Sequence, residues 1–274
     1  MVNTCTAIIQ ARMGAERFYG KVLKPLPFNS ELCILDQIVI RVKAAGIENI
    51  IIATSINEKD SAIVTHCEKM KYKYFQGDEE NVLKRFYDTA DFNKCKNVIR
   101  ITADNPFIDP KYLKDSVTAF QTNAPEYFAT RGLPLGTNFE IFTFKALEKC
   151  FANAKEKYDT ENVTSYMYNN PSLFNVQLKQ YDFDKKELRL TIDTTHDYIF
   201  ACTLYDMLYH NNNLFGLEEI LNLFQTKPYL FEINNNIAQK RQLFDLNDEF
   251  KFALEVLKPY DLKNVVALLK EKSE

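Results

Sequence analysis

Short apolar runs alternate with helix-spaced apolar positions through the first half of the chain. An apolar run at 6–9 predicts a first strand over 7–10, and a helix follows over about 35–45, where Leu35, Ile38, Val39 and Val42 recur at three- and four-residue steps. Residues 49–53 read as a nearly continuous apolar strand closing on Thr54 and Ser55. A helix over about 59–70, a strand at 72–75, a helix at 80–91 and a strand at 97–102 complete the series. This order predicts a parallel sheet covered on both faces, joined by right-handed crossovers. The second half is more mixed. Helices are expected over 110–123, with Pro110 in the first turn, and over 146–154 and 160–168. Strands are expected at 140–144, 175–181 and 187–192. From Tyr198 onward the pattern is helical, interrupted by Asn211-Asn212-Asn213, Lys227-Pro228 and Asn234-Asn235-Asn236. The division expected is one α/β domain over 1–212 with a helical C-terminal extension over 213–274.

Ligands of such sheets bind beyond the carboxyl ends of the strands. The rule brings residues 11–21, 54–60, 77–80 and 103–109 to one edge. In the first of these, Arg12, Gly14, Arg17, Gly20 and Lys21 lie on a short loop after a buried strand. Glycine lets backbone approach an anion, and the cations offer charge-assisted hydrogen bonds to phosphate oxygens. A polyphosphate, and hence a nucleotide, is the ligand this loop suggests. It is no Walker loop, because five residues separate Gly14 from Gly20 and Val22 follows Lys21. It is no dinucleotide fingerprint either, since Gly14 has no glycine two positions on. The plain alternative is a solvated basic loop, in which Glu16 would accept the charge of Arg17.

Charge balance narrows the partners. With 34 Lys and Arg against 37 Asp and Glu, the formal charge of -3 gives no general attraction to nucleic acid or to an anionic membrane. No apolar stretch approaches the ~20 residues needed to span a bilayer, and Asn3 and Thr4 are polar where a signal peptide would be apolar, so a cytoplasmic location is expected. The six cysteines are scattered, without a C-x-x-C pair or a histidine at zinc spacing, and read as reduced, buried small hydrophobes.

Two carboxylates stand out. Asp104 follows a strand in Arg100-Ile101-Thr102-Ala103-Asp104-Asn105-Pro106, and Asp193 ends Leu188-Arg189-Leu190-Thr191-Ile192-Asp193. Carboxylates at strand ends beside phosphates suit Mg²⁺, which keeps one or two of them together with phosphate oxygens and water. Asp193 could equally cap a helix starting at His196. His66 and His210 read as structural or exposed. No Ser-His-Asp or Cys-His arrangement points to covalent catalysis.

The ordered motifs I-I-Q-A-R with R-x-x-G-K, A-T-S-x-N-x-x-D, F-x-G-x-E-x-x-V-L-x-R, R-I-T-A-D-x-P-x-I-D-P and L-R-L-T-I-D-T resemble the cytidylyltransferase family. That family activates acylneuraminate and 3-deoxy-manno-octulosonate sugars with CTP, and the SpsF-like spore-coat polysaccharide branch resembles this chain most. The resemblance implies a three-layer α/β/α, Rossmann-like nucleotidyltransferase fold with a mostly parallel sheet. It implies that Arg12 and Lys21 hold CTP phosphates, that Ile9, Gln10 and Ala11 lie near the base, and that Gly14, Thr54, Ser55, Arg100 and Thr102 belong to the nucleotide site, with Asp60 part of the second motif. Asp104 and Asp193 match the magnesium aspartates, making Arg12, Lys21, Asp104 and Asp193 the catalytic set. Asn105, Asn138, Glu140 and Glu161, with Asp197, fall toward the acceptor pocket. A homodimer formed through residues 138–182 is also implied.

Departures from the family bear on the acceptor. Ala15 stands where serine is usual, Phe18-Tyr19 replaces Leu-Pro, and Leu135 and Asn138 occupy positions commonly held by acids in the nearest branch. The expectation is transfer of CMP to an anionic acceptor, an acidic sugar or a sugar or polyol phosphate, with loss of pyrophosphate. Two alternatives stay open, a nucleotide-sugar glycosyltransferase, for which Asp104-Asn105-Pro106 lacks the usual D-x-D, and a catalytically silent nucleotide-binding module.

Overall fold

Strand alternation divides the interior into two apolar layers. In β1 (Cys5–Gln10), Ala7 and Ile9 enter one core and Ile8 the other. A computed structural model of the chain describes residues 5–15, 17–210, 213–239, 246–257 and 260–273. Glu16, Asn3, Thr4, Asn211 and Asn212, all weighed in the sequence, lie outside the described residues.

After β1 come α1 (Ile34–Ala44), β2 (Ile50–Ser55), α2 (Ser61–Met70), β3 (Lys73–Gly77), α3 (Val82–Phe92), β4 (Asn97–Thr102) and α4 (Pro110–Asn123). Then follow β5 (Tyr127–Arg131), β6 (Glu140–Thr143), α5 (Phe144–Asn153), α6 (Lys157–Asn162), α7 (Ser165–Asn169), β7 (Val176–Gln180), α8 (Thr195–Leu208) and α9 (Leu217–Thr226). The seven strands form one sheet in the order β3-β2-β1-β4-β6-β5-β7. The first four run parallel, β6 is antiparallel to both neighbours, and β5 and β7 are parallel. Helices α1, α2, α4, α8 and α9 cover one face and α3, α5 and α7 the other. The stripe expected on α1 is fully used, with Leu35, Ile38, Val39 and Val42 all buried. Asp109 caps α4 by accepting from Lys111 N at 2.8 Å, and Pro110 fills the first turn as anticipated.

By contacts the chain falls into two compact units, Met1–Asn235 and Asn236–Glu274. The second consists of α10 (Leu246–Leu257) and α11 (Lys263–Ser273), which pack on each other. No helix among the described residues is long and apolar enough to cross a membrane.

Two sequence expectations are corrected, and one strand has no counterpart among them. Residues 187–192 form no strand: apart from an isolated bridge from Arg189 to Leu135, their backbone pairs singly with loop groups, Ile192 N with Asp104 O at 2.8 Å and Leu190 N with Leu135 O at 2.9 Å. The helix expected over 160–168 is two, α6 and α7, because Val163 adopts φ 59° between them. Strand β5 carries no alternation that marked it in the sequence, since Tyr127, Phe128, Ala129 and Thr130 are buried on both faces.

Candidate active site

The parallel strands end at one level. Gln10 is level with Ala53 and Thr102, and Ser55 is level with Gly77. Backbone bonds just past the strands, Ala11 N to Ala53 O at 3.1 Å and Ala103 N to Gln10 O at 3.0 Å, carry the alignment into the loops. The segments after β1, β2, β3 and β4 therefore share one edge, as expected.

The loop after β1 folds back on itself. Gly20 N donates to Met13 O at 2.9 Å, and Gly20 takes φ 67°, a conformation that suits glycine. Its closure is held from β2's exit: Asp60 Oδ1 accepts from Met13 N at 2.6 Å, and Asp60 Oδ2 from Ser55 Oγ at 2.5 Å. Directly after the turn, Lys21 dips inward and is 8% exposed. Its ammonium donates to Asp104 Oδ2 at 2.9 Å, Asp193 Oδ1 at 2.9 Å and Ile192 O at 2.6 Å.

Asp193 reaches this point because residues 188–192 are zipped to neighbouring loops. Ile192 N is bonded to the backbone of Asp104 itself, and Gly136 (φ 92°) passes so near Leu190 that a Cβ there would lie 2.5 Å from its carbonyl. Asp193 is not a helix cap. That task belongs to Thr194, whose hydroxyl accepts from Asp197 N, with Asp197 returning the bond in a capping box. Asp193 is free to face Lys21, Arg17 at 3.1 Å and Arg189 at 2.7 Å. Burial would raise its carboxyl, but Lys21, Arg17 and Arg189 outweigh burial and hold it below the ordinary carboxylate range.

Asp197 is corrected from the acceptor pocket to the interior. Only 1% exposed, it accepts from Arg189 Nε at 2.8 Å, Asp193 N at 3.0 Å, Thr194 N at 2.9 Å and Asn234 at 2.9 Å. It braces the turn that aims Asp193.

The remaining expected residues divide. Ile9 and Ala11 are buried, Gln10 is half-buried and Gly14 exposed. Thr54 and Ser55 are completely buried, Ser55 tied to Asp60, while Thr54 Oγ1 has no hydrogen-bond partner among the described residues. Arg12 is exposed at the strand exit, close enough to buried Arg85 that its charge, after burial, helps to lower the Arg85 pKa. Arg85 Nη1 donates to Asp78 O at 2.6 Å. Two guanidinium groups thus stand at this end of the edge, with the carboxylates of Asp60, Asp78 and Glu79 acting on Arg85. Arg85 sits in a motif the sequence displayed without revealing a role for it.

Beside Asp104 lies a cavity of about 120 Å³ lined by Arg100, Thr102, Asn105, Gly136, Asn138 and Glu140, among others. Arg100 donates to Glu140 at 2.6 Å, and Glu140 also accepts from Tyr127 at 2.6 Å and Thr164 at 2.8 Å. Burial works against Glu140's charge, but Arg100 and these donors prevail and lower its pKa. Glu161 is not brought to the cavity; its side chain is 52% exposed and pairs with Lys157. A larger cavity of about 180 Å³ opens at the opposite edge, between the amino ends of the strands, and its lining contains no carboxylate that could hold a cation to phosphate.

Residues 6–242 match the family model for cytidylyltransferases. The spore coat polysaccharide biosynthesis protein SpsF of Bacillus subtilis is 35% identical over 235 residues, 83% of this chain and 96% of that protein. An uncharacterized protein of Methanocaldococcus jannaschii is 39% identical over 85% of this chain and 95% of its own length. Among solved structures, a cytidylyltransferase from Leptospira borgpetersenii superposes with TM-score 0.77 at 25% identity, covering 88% of this chain and 99% of that one.

Proposed function

Because the chain belongs to the cytidylyltransferase family and is a nucleotidyltransferase, we propose that it transfers CMP from CTP to an oxygen of an anionic sugar or polyol acceptor, in the synthesis of a surface polysaccharide or glycan. The observation that carries the reading is the convergence of Lys21 on both Asp104 and Asp193 at the exits of the parallel strands.

Two carboxylates aimed at one positive centre form an all-oxygen donor set that fits Mg²⁺. Asp104 and Asp193 would hold the ion, which when bound screens the phosphate charge. Lys21 bridges the two carboxylates between turnovers, with Arg17 and Arg189 also balancing Asp193. With a triphosphate present, its ammonium and the guanidinium of Arg12 turn toward the phosphates and stabilise the departing pyrophosphate. Asp60 keeps the loop closed so that Gly14 and its neighbours present backbone to the nucleotide. The acceptor oxygen attacks the α-phosphorus in line. The bond to the β-phosphate oxygen breaks, and the hydroxyl proton is lost to solvent.

The cavity beside Asp104 supports an anionic acceptor. Glu140, the one carboxylate in its lining, is neutralised by Arg100, while Asn105 and Asn138 supply uncharged polar groups. Leu135 and Asn138, in place of acids, leave this side without the repulsion that would turn away an anion. Incubating the protein with MgCTP and a panel of keto-acid sugars, sugar phosphates and polyol phosphates, then assaying pyrophosphate, tests the reading. Release with an anionic acceptor is expected. Release only with neutral sugars would refute the acceptor class, and equal release with UTP or ATP would refute the base preference.

A further inference from the structure

Away from the nucleotide edge, three side chains from two separate parts of the sequence meet between α1 and α2. Cys33 precedes α1, Asp36 lies in its first turn, and His66 comes from the middle of α2. One ligand atom of each lies within 4.8 Å of the others. Cys33 Sγ is 3.5 Å from His66 Nε2, which is 2.8 Å from Asp36 Oδ1, and Tyr72 donates its hydroxyl to the same carboxylate oxygen at 2.9 Å. We propose that Cys33, Asp36 and His66 form a binding site for a divalent transition ion of the zinc class.

The geometry suits such an ion. Zinc bonds of roughly 2.3 Å to sulfur and 2.0 Å to nitrogen, opened to the tetrahedral angle, put the two donor atoms about 3.5 Å apart. The Cys33–His66 separation already has that value. The His66–Asp36 pair opens by about half an ångström as its hydrogen bond gives way to two metal bonds. The Tyr72 hydroxyl or a water completes the fourth position.

Charge points the same way. Asp36 is fully buried, and its carboxylate is held by hydrogen bonds from His66, Tyr72 and the Cys33 backbone. A divalent ion with one thiolate and one carboxylate leaves the buried cluster neutral. Burial, reinforced by Asp36, pushes the Cys33 thiol pKa up, so this cysteine is no free nucleophile. Binding releases the thiol proton to solvent, and the proton that His66 Nε2 gives to its bond with Asp36 also leaves through solvent, so that the Nε2 lone pair faces the ion with a proton on Nδ1. The thiolate and imidazole favour zinc-like ions over Mg²⁺, which separates this site from Asp104 and Asp193. His66, 16% exposed at its side chain, is the entry side.

The place in the fold gives the ion a task. Cys33 bridges to Pro25, and Ile34 N donates to Lys24 O at 3.0 Å, just beyond the turn that carries Lys21. An ion at Cys33 clasps α2 to the strap behind that turn.

Cobalt(II) is the probe. Titrated into the metal-free full chain, it is expected to give a near-ultraviolet thiolate charge-transfer band, saturating at one equivalent, with the strong visible bands of a tetrahedral site. Cys33→Ser should abolish the charge-transfer band, and His66→Gln should weaken cobalt binding at least tenfold. The Asp104→Ala, Asp193→Ala double variant should keep the band. Zinc at a hundredfold excess over its Kd should raise the folded-to-unfolded ratio about a hundredfold, seen as a higher urea midpoint. Absence of a thiolate band in the wild type, or a band that survives Cys33→Ser, overturns the proposal. The wild-type spectrum decides even if a variant fails to fold.

Discussion

Lys21 Nζ and Asp193 Oδ1 lie 2.9 Å apart across 172 positions of sequence. Asp104 and the Ile192 carbonyl complete three acceptors around one ammonium. Three acceptors gathered about a point charge match the three donors of lysine, whereas the planar fork of arginine does not. Lys21→Arg is therefore expected to cost nearly as much activity as Lys21→Gln, on the order of 10²-fold in kcat. Steady-state pyrophosphate release from the two variants checks this, and near-wild-type turnover by Lys21→Arg would contradict it.

Asp60 works through the loop rather than on substrate. It holds Met13 N and Ser55 Oγ and is 3% exposed. Asp60→Ala should weaken CTP binding about tenfold, roughly 1.4 kcal/mol, with little effect on turnover at saturating nucleotide. Separate measurement of KM and kcat distinguishes this from a direct chemical role, which would lower kcat.

The Arg100–Glu140 pair ties β4 to β6 at the cavity wall. Removing one partner leaves a largely buried charge unmatched, so Arg100→Ala should cost about 3 kcal/mol in urea unfolding. Glu140→Gln should instead change the pH dependence. The folded-state pKa of Glu140 lies below its unfolded value, so its contribution is complete above the unfolded pKa of about 4.3 and is lost as pH falls through the lowered folded value. Wild type should lose stability more steeply than Glu140→Gln between about pH 5 and pH 3. Parallel curves would contradict the pairing.

Gly136 carries the approach of the 188–192 segment. An added Cβ would lie 2.5 Å from Leu190 O at φ 92°, so Gly136→Ala should destabilise the fold by about 2 kcal/mol and misplace Asp193. Thermal unfolding together with activity tests this, and an active variant with unchanged stability would contradict it.

The strands and helices of the first half were legible because their apolar periods are regular and each strand ends in a polar loop. Asp104 was legible for the same reason, standing just past β4. Asp193 was legible as a residue but not as a strand end: it is held by single backbone bonds between loops, which leave no period in the sequence. Strand β5, buried on both faces, shows no alternation, and the break at Val163 carries no glycine or proline to announce it. The resemblance implies the acceptor pocket for Asp197, whereas three donors and Arg189 hold it inside. The Cys33–Asp36–His66 cluster escaped a search for zinc spacing because two helices, not one local motif, assemble it.

Manganese(II) bound at equilibrium, followed by its electron paramagnetic resonance signal with and without CTP, tests most directly whether triphosphate and divalent cation meet at Asp104 and Asp193. The wild type is expected to bind Mn²⁺ much more tightly with CTP present, and Asp104→Ala and Asp193→Ala are each expected to lose that enhancement while remaining folded. Wild-type enhancement in both variants would contradict the account.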